Sequence, residues 1–225
     1  MIDTQFLQYL ERFVTEKRKQ TFKDVLENRT KHFTVVLEDI YQPHNSSAVI
    51  RSCDIFGVQD VHVIQNKYSS RVSRHVAKGS QKWLSIKKYN QQQNNTQDCL
   101  DTLRNNGYQI IVTTPHNESC MLHEFDITKK SALVFGVEKE GVSEYTMNQA
   151  DGYLKIPMVG FTESLNISVA AAIILQDITT KLRTTNLDWQ LTKDEKEVLY
   201  FEWVQKSIKS IKKITAHYQL SMNNS

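Results

Sequence analysis

The chain has 225 residues, of which 40% are hydrophobic and 24% are charged, a balance typical of a globular protein with one sizeable core. Its longest apolar run, SVAAAIIL at 168–175, is too short to span a bilayer, and residues 1–20 form an amphipathic pattern that does not resemble a signal peptide. The three cysteines include no CxxC pair, which argues against a zinc ribbon or a disulfide framework. We therefore expect a cytoplasmic protein with no membrane partner.

The net charge of +3 conceals a strong local bias. Residues 61–97 contain no Asp or Glu and carry a formal charge of +7. A second acid-free run follows Trp203, and a third basic cluster lies within 17–31. One such cluster is typical of a solvated face, but together they favour a polyanion and make nucleic acid the leading partner. The basic residues that we expect to bind nucleic acid are Lys17, Arg18, Lys19, Arg29, Arg71, Arg74, Lys78 and Lys82.

Apolar patterns predict an alternation of strands and helices. Helices are expected within 1–29 and 192–217, outside the core. Between them the chain reads, in order, as a strand at 33–40, a helix at 45–56, a strand at 58–65, a helix near 97–105, strands at 108–114, 132–138 and 152–158, and a helix at 165–182. Gly107 is expected to end one helix, and Thr192 with Glu195 has capping-box spacing. This order predicts an α/β fold with a mostly parallel sheet and helices on both faces.

The segment PHNSSAVIRSCDIFG at 43–57 contains an arginine that its helix does not need for packing. Asn45 or Ser46 is expected to cap the helix start. Val49, Cys53 and Phe56 recur on one face, and Arg51 lies about 200° around the helix from Val49. A solvated arginine that pairs with Asp54 at i, i+3 is the simplest interpretation.

Common ligand motifs are absent from the sequence. There is no GxG fingerprint, P-loop or G-x-S-x-G turn. His116, Cys120 and His123 have metal-like spacing without a fourth ligand, and we predict no metal site. Gly136, Gly141 and Gly160 follow apolar strand segments, where α/β sheets bind ligands.

Three segments resemble a known family when taken together. They are VVLEDIYQPHNSSAVIRSCDIFGV, with its N-x5-R spacing, LVFGVEKEGVSE, and KIPMVGFTESLNISVAAAIIL. They are similar to the three ordered motifs of the SpoU-type RNA 2′-O-ribose methyltransferases and extend over nearly all of 33–182. Within that superfamily PHNSSAVIRSCD, SQKWL and VEKEGVSE resemble the enzymes that methylate a D-loop guanosine of tRNA.

The resemblance implies a C-terminal trefoil knot, a homodimer and S-adenosylmethionine bound in the knotted loops. General topology rules would exclude such a knot. The positions that match cofactor contacts are Thr113, Gly136, Ile156 and Leu165. The positions that match the catalytic motif residues are Asn45, Arg51, Glu138, Ser164 and Asn166.

The family's arginine has been viewed as a general base, which is chemically unfavourable because the ordinary pKa of arginine exceeds about 12. We expect Arg51 to hold an RNA phosphate and orient the 2′-hydroxyl. Asn45 and Ser164 would hold Arg51 or the ribose, and Asn166 would support the cofactor loop.

The expected organisation is a helical extension at 1–32, the knotted domain at 33–185 and a second helical extension at 186–225. Ile167 and Asp177 replace a more usual valine and glutamate, and the tail after Arg183 diverges from the family. Three alternatives stay open at this point. They are methylation of ribosomal RNA, methylation of the tRNA anticodon loop, and RNA binding without catalysis.

Overall fold

The computed structural model describes residues 2–68, 74–115, 119–137 and 140–223. The chain forms two compact units, one of residues 30–189 and one of residues 1–29 with 190–225. The helices are α1 Thr4–Glu11, α2 Glu16–Leu26, α3 Pro43–Phe56, α4 Arg74–Ala77, α5 Asn95–Asn105, α6 Glu144–Asn148, α7 Ile167–Arg183, α8 Lys193–Ser207 and α9 Ile211–Asn223.

The described strands of the larger unit form one parallel sheet. They are β1 Phe33–Glu38, β2 Asp60–Ile64, β3 Ser85–Tyr89, β4 Gln109–Thr113, β5 Cys120–Met121, β6 Ser131–Phe135 and β7 Gly152–Lys155. Their order across the sheet is β3-β2-β1-β6-β4-β7-β5, and every pairing is parallel. The predicted α/β class and parallel sheet are confirmed.

Both faces of the sheet are covered, because alternate residues of β1, an interior strand, enter different cores. Val35 and Leu37 pack in the cluster that contains residues of α3 and α7. Val36, between them, packs in the cluster that contains residues of α5. Side chains alternate across a strand, so a strand buried on both faces is largely apolar. The continuous apolar run at 35–37 reflects this burial on both faces.

Helix α3 begins earlier than the sequence predicted. Its N-cap is Gln42, whose side chain makes no capping bond, and Pro43 occupies the first turn. A proline at that position suits the helix start because its missing N–H has no partner there and its φ is already helical. The expected cap by Asn45 or Ser46 is therefore wrong, and Asn45 lies inside the first turn of the helix.

Five of the seven described strands were predicted, and each prediction was too long at its carboxyl end. The strands predicted to end at 138 and 158 end at Phe135 and Lys155. Strand β3 was missed because Lys87 and Lys88 interrupt its apolar pattern. It lies at one edge of the sheet, where exposed lysines are common because they discourage further strand pairing.

The smaller unit contains α1, α2, α8 and α9, as predicted. Thr192 and Glu195 form the expected capping box at the start of α8. The prediction that Arg29 binds RNA is wrong. Its side chain is only 1% exposed and its guanidinium lies 5.5 Å from the ring centre of Trp203, so it belongs to the interior of this unit and not to an RNA surface.

A search of the described residues found no helix both long and apolar enough to cross a membrane.

A buried carboxylate joins three elements at the carboxyl end of β1. Glu38 is 2% exposed. Its Oε1 accepts hydrogen bonds from the hydroxyls of Thr96 at 2.9 Å, Ser143 at 2.8 Å and Thr146 at 2.8 Å. Its Oε2 accepts the backbone N–H of Ser143 at 2.8 Å. The carboxylate thus links β1 to the first turns of α5 and α6.

Glu38→Gln should lower the free energy of unfolding by about 2 kcal/mol, because an NH₂ donor would face one of these buried donors and leave it without an acceptor. Urea unfolding measures the loss. The control is Asp101→Asn, an exposed carboxylate on α5, for which we expect a change within about 0.5 kcal/mol. Equal effects of the two substitutions would contradict a structural role for Glu38.

Candidate active site

A cavity of about 290 Å³ lies beyond the carboxyl ends of β4, β6 and β7. Its lining includes all four residues expected to contact a cofactor and one expected catalytic residue. These are Thr113, Gly136, Ile156, Leu165 and Ser164. Each follows or ends a different strand or precedes α7, and the parallel sheet brings these chain segments to a single edge.

Residues Gly136, Val137 and Gly141, after β6, form one wall of this cavity and are held together by backbone contacts. The Val137 N–H donates to the Gly141 carbonyl at 3.0 Å, and the Gly141 N–H donates back at 2.8 Å. A Cβ atom on Gly136 would lie 2.1 Å from the carbonyl carbon and oxygen of Gly141, so no side chain fits there. The glycine is required by this backbone contact, which the sequence did not reveal.

The neighbouring strands are tied together at the same edge. The Thr113 hydroxyl donates to the Val134 carbonyl at 3.0 Å, and the Thr114 N–H donates to the Leu154 carbonyl at 3.0 Å. These bonds fix the ends of β4, β6 and β7 relative to one another. The cavity floor is therefore part of the rigid sheet.

Two of the expected catalytic residues contact each other. Asn45 is 4% exposed, and its Oδ1 accepts a hydrogen bond from Asn166 Nδ2 at 3.2 Å. Asn166 is the N-cap of α7, where its Oδ1 accepts the Ser168 N–H at 2.9 Å. Because Asn45 lies in the first turn of α3, this bond joins the starts of two helices that are 121 residues apart in the chain.

A second cavity, of about 270 Å³, adjoins the first and shares Val137, Glu140 and Ile167 with it. Asn45 lines this second cavity, as do Tyr41 and Tyr68. The two tyrosine side chains are 66% and 38% exposed, and their ring centres lie 5.1 Å apart in an edge-to-face arrangement. Our sequence analysis missed both; the available signal was an aromatic residue in the polar turn directly after a buried strand.

The structure does not bring every predicted site residue together. Arg51 is half-buried in the middle of α3 and is not among the described residues that line either cavity. Glu138 lies outside the described residues.

The predicted RNA-binding residues have mixed placements. Lys17 and Arg18 are exposed on α2, and Lys19 is half-buried and pairs with Glu16. Lys78 and Lys82 are exposed. Arg74 begins α4, but its side chain, like all of Arg71, lies outside the described part of the chain.

The segment that carries Lys78 and Lys82 packs beside α3, since both α4 and the one-turn 3₁₀ helix at Ser80–Lys82 contact it. This places the two lysines near the helix that bears Arg51.

A metal site is not indicated in the described part of the chain, where no group of three or more His, Cys, Asp or Glu residues could hold an ion. His116, one member of the metal-like spacing, lies outside the residues described.

Comparison with known proteins gives consistent matches. The model of the SpoU rRNA methylase family matches residues 32–176. A protein of Borreliella burgdorferi named tRNA (guanosine(18)-2′-O)-methyltransferase is 38% identical over 201 residues, which cover 89% of this chain and 90% of that protein.

Solved structures agree with these matches. The structure of the Aquifex aeolicus TrmH/SpoU tRNA modifying enzyme is similar with a TM-score of 0.75 and 32% identity, over 86% of this chain and 98% of that one. The SpoU methyltransferase AviRb from Streptomyces viridochromogenes, solved in complex with AdoMet, has a TM-score of 0.61 and 25% identity over 72% of this chain and 65% of that one. The family match covers more than half of the chain, and the chain therefore belongs to the SpoU rRNA methylase family.

Proposed function

We propose that this protein transfers a methyl group from S-adenosylmethionine to the ribose 2′-hydroxyl of a guanosine in tRNA, the D-loop guanosine at position 18. The observation that carries the proposal is the cavity at the carboxyl edge of the sheet, which collects residues from the second and third family motifs. The names of the curated relatives support tRNA as the substrate and guanosine as the nucleoside.

The residues of the first cavity suit the proposed cofactor. Ile156, Leu165 and Ile174 give it apolar walls that fit an adenine ring. Gly136, Val137 and Gly141 line the cavity, and their backbone groups lie at close range because Gly136 has no side chain.

The bound cofactor supplies a methyl group on a positively charged sulfur, so the protein's main task is to align a weak nucleophile with it. In the transfer the ribose oxygen bonds to the methyl carbon as the carbon–sulfur bond breaks, and the hydroxyl proton leaves to solvent or an assisting group. We assign Asn45 and Ser164 to the ribose and Asn166 to the support of Asn45, in accord with the hydrogen bond between the two asparagines. We assign Arg51 to an RNA phosphate.

Two basic surfaces are proposed to bind the rest of the tRNA. In the larger unit this surface is the segment with Lys78 and Lys82 beside α3. In the smaller unit it is the exposed Lys17 and Arg18 of α2 with the partly buried Lys19. Long-range attraction of a polyanion needs only exposed positive charge.

We also propose that two copies associate. The larger unit exposes apolar side chains that a monomer would keep in water, namely Ile55 at 64%, Val169 at 46% and Ile173 at 39%. Val159 and Phe161, in the segment before α7, are fully exposed. A symmetric dimer would bury such residues against their own copies.

The trefoil knot remains a proposal that the strand order supports. Strand β7 pairs with both β4 and β5, although β4 and β5 are neighbours in sequence. The connection between them must therefore cross from one side of β7 to the other, and we propose that the chain leaving β7 passes beneath it.

We assign the protein to the cytoplasm, since its three cysteines form no disulfide with one another, as is usual in reducing compartments.

The function is tested with purified protein, methyl-labelled S-adenosylmethionine and unmodified tRNA. We expect label on one D-loop guanosine, as located by mapping 2′-O-methyl sites. Label on ribosomal RNA or on the anticodon loop would move the assignment to a different RNA target. Absence of transfer despite RNA binding would indicate a binding module.

Gly136→Ala should raise the dissociation constant for S-adenosylmethionine at least about tenfold, because the added Cβ would displace the Gly141 backbone that walls the cavity, and Gly136→Val should do so more strongly. Calorimetry measures the affinity, and circular dichroism verifies folding. The matched control is Gly152→Ala, whose Cβ would meet only the movable end of the Ile111 side chain at 3.2 Å. Unchanged cofactor affinity in folded Gly136→Ala would contradict the assignment of this cavity.

Arg51→Ala should abolish methyl transfer in single-turnover assays while cofactor affinity stays nearly intact. RNA affinity should fall by about 1–3 kcal/mol at most, the value of one charge-assisted contact. Arg51→Lys should fail as well, because lysine keeps the charge but lacks the planar group that can hold a phosphate and a hydroxyl together.

If the lysine of the Arg51→Lys variant acted as a base, the rate of methyl transfer would instead recover as the pH rises. Asp54→Ala is the control, because a surface ion pair between Arg51 and Asp54 would make both alanine variants equally mild. Near-normal turnover by Arg51→Ala would show that ion pair to be the correct interpretation.

Neutralising Lys78 and Lys82 together should weaken tRNA binding and reduce the slope of log affinity against log salt by about 1 for each lost phosphate contact. Lys78 has φ of +47°, so Lys78→Asn is preferred because asparagine tolerates this backbone region; Lys82→Gln completes the pair. Lys129→Gln, an exposed lysine beside the start of β6, is the control. An unchanged slope in the double variant would mean that these lysines are ordinary solvated side chains.

A further inference from the structure

We propose that the second cavity is the binding site of the target guanine base, with Tyr41 and Tyr68 as the stacking surface and Glu140 as the group that selects guanine. This inference rests on the proposed function, because it assigns the base of the same nucleoside whose ribose is methylated.

The first argument is position. A ribose that reaches the cofactor must lie where the two cavities meet, and its base must then extend into space beside the cofactor. The second cavity is that space, since it shares Val137, Glu140 and Ile167 with the first. Of the two residues that we assign to the ribose, Asn45, which is hydrogen-bonded to Asn166, lines the second cavity, and Ser164 lines the first.

The second argument is the pair of tyrosines. A single exposed tyrosine is ordinary on a protein surface, but these two rings contact each other and line one cavity. Their edge-to-face contact at 5.1 Å gives each ring a neighbour that limits its rotation. Unpaired RNA bases commonly stack on aromatic side chains held in this way.

The third argument is the chemistry at the rim. The Watson–Crick edge of guanine presents two adjacent donors, N1–H and the N2 amino group, beside the O6 acceptor. An ionised carboxylate has two acceptor oxygens and no donor. Glu140 lines the cavity and can accept both guanine donors together. Adenine presents an acceptor at N1 and would meet the same carboxylate with repulsion.

Gln42 adds a side-chain amide to the same lining. Its oxygen accepts a hydrogen bond from Asn45 at 3.2 Å, so its NH₂ group is available to donate to guanine O6. The cavity therefore combines an aromatic surface, a double acceptor and a donor, which is the complement of guanine.

The experiment uses full-length protein and tRNA that carries guanosine or inosine at the target position. Inosine lacks only the N2 amino group. Wild type should prefer guanosine in kcat/KM, and Glu140→Gln should reduce that preference at least about fivefold, because it replaces one acceptor with a donor.

The stacking role is tested at Tyr41. Tyr41→Ala should raise the KM for tRNA about tenfold, whereas Tyr41→Phe should keep the KM within about twofold of wild type because the ring is retained. The control is Tyr145→Ala, an exposed tyrosine that lines neither cavity.

Binding of tRNA with 2′-deoxyguanosine or 2′-deoxyinosine at the target position separates this inference from the proposed function, because neither RNA can be methylated there. The same loss of preference in Glu140→Gln should appear in binding alone. If wild type transfers the methyl group but Tyr41→Ala leaves the KM for tRNA unchanged and Glu140→Gln leaves the guanosine preference unchanged, the base site is wrong and the proposed function still holds. A base preference without methyl transfer by wild type would overturn the function and support the base site.

Discussion

The carboxylate of Glu38 fixes the part of the molecule on which the proposed cofactor cavity depends. It lies at the carboxyl end of β1 and accepts hydrogen bonds from residues at the starts of α5 and α6. A buried carboxylate is costly unless each oxygen has partners, so the four donors and the acid require one another. Ser143 donates two of these bonds and lies two residues beyond Gly141. The position of the cavity wall thus follows from a charge buried inside the sheet edge.

A second constraint acts from the opposite side of the cavity. The bond between Asn45 and Asn166 sets the start of α7 against the start of α3, and the segment between β7 and α7 supplies Ile156, Ser164 and Leu165 to the lining. One end of that segment is held by the pairing of β7 with β4 and the other by the Asn166 cap. Preorganisation of this kind lowers the cost of ordering a site when a ligand binds.

The sequence allowed prediction of the features that depend on local patterns. Buried strands such as β1, the capping box at Thr192 and the glycine that ends α5 follow from periodicity and backbone preference. Features that depend on distant contacts were not predictable. Asn45 appeared to be a cap because its partner Asn166 is remote in sequence. Arg29 appeared to be an RNA contact because no pattern showed that Trp203 would cover it. Position 136 requires glycine because a Cβ there would lie 2.1 Å from the Gly141 carbonyl, and no local pattern shows that contact.

The two cavities differ in a way that matches what each must recognise. The proposed cofactor side has walls set by strand ends and a closed turn, which suits a ligand of one fixed structure. The proposed base side is bordered by exposed rings and by Glu140, an exposed acid in the turn after β6. A base in a folded RNA must be taken out of its stack before it can enter, and exposed aromatic rings provide a replacement stacking partner during that step. Of the residues that would recognise guanine, Tyr41 and Gln42 lie in the first family motif, Glu140 lies in the second, and Tyr68 lies outside the motifs. Only their position around a shared cavity indicates a common role.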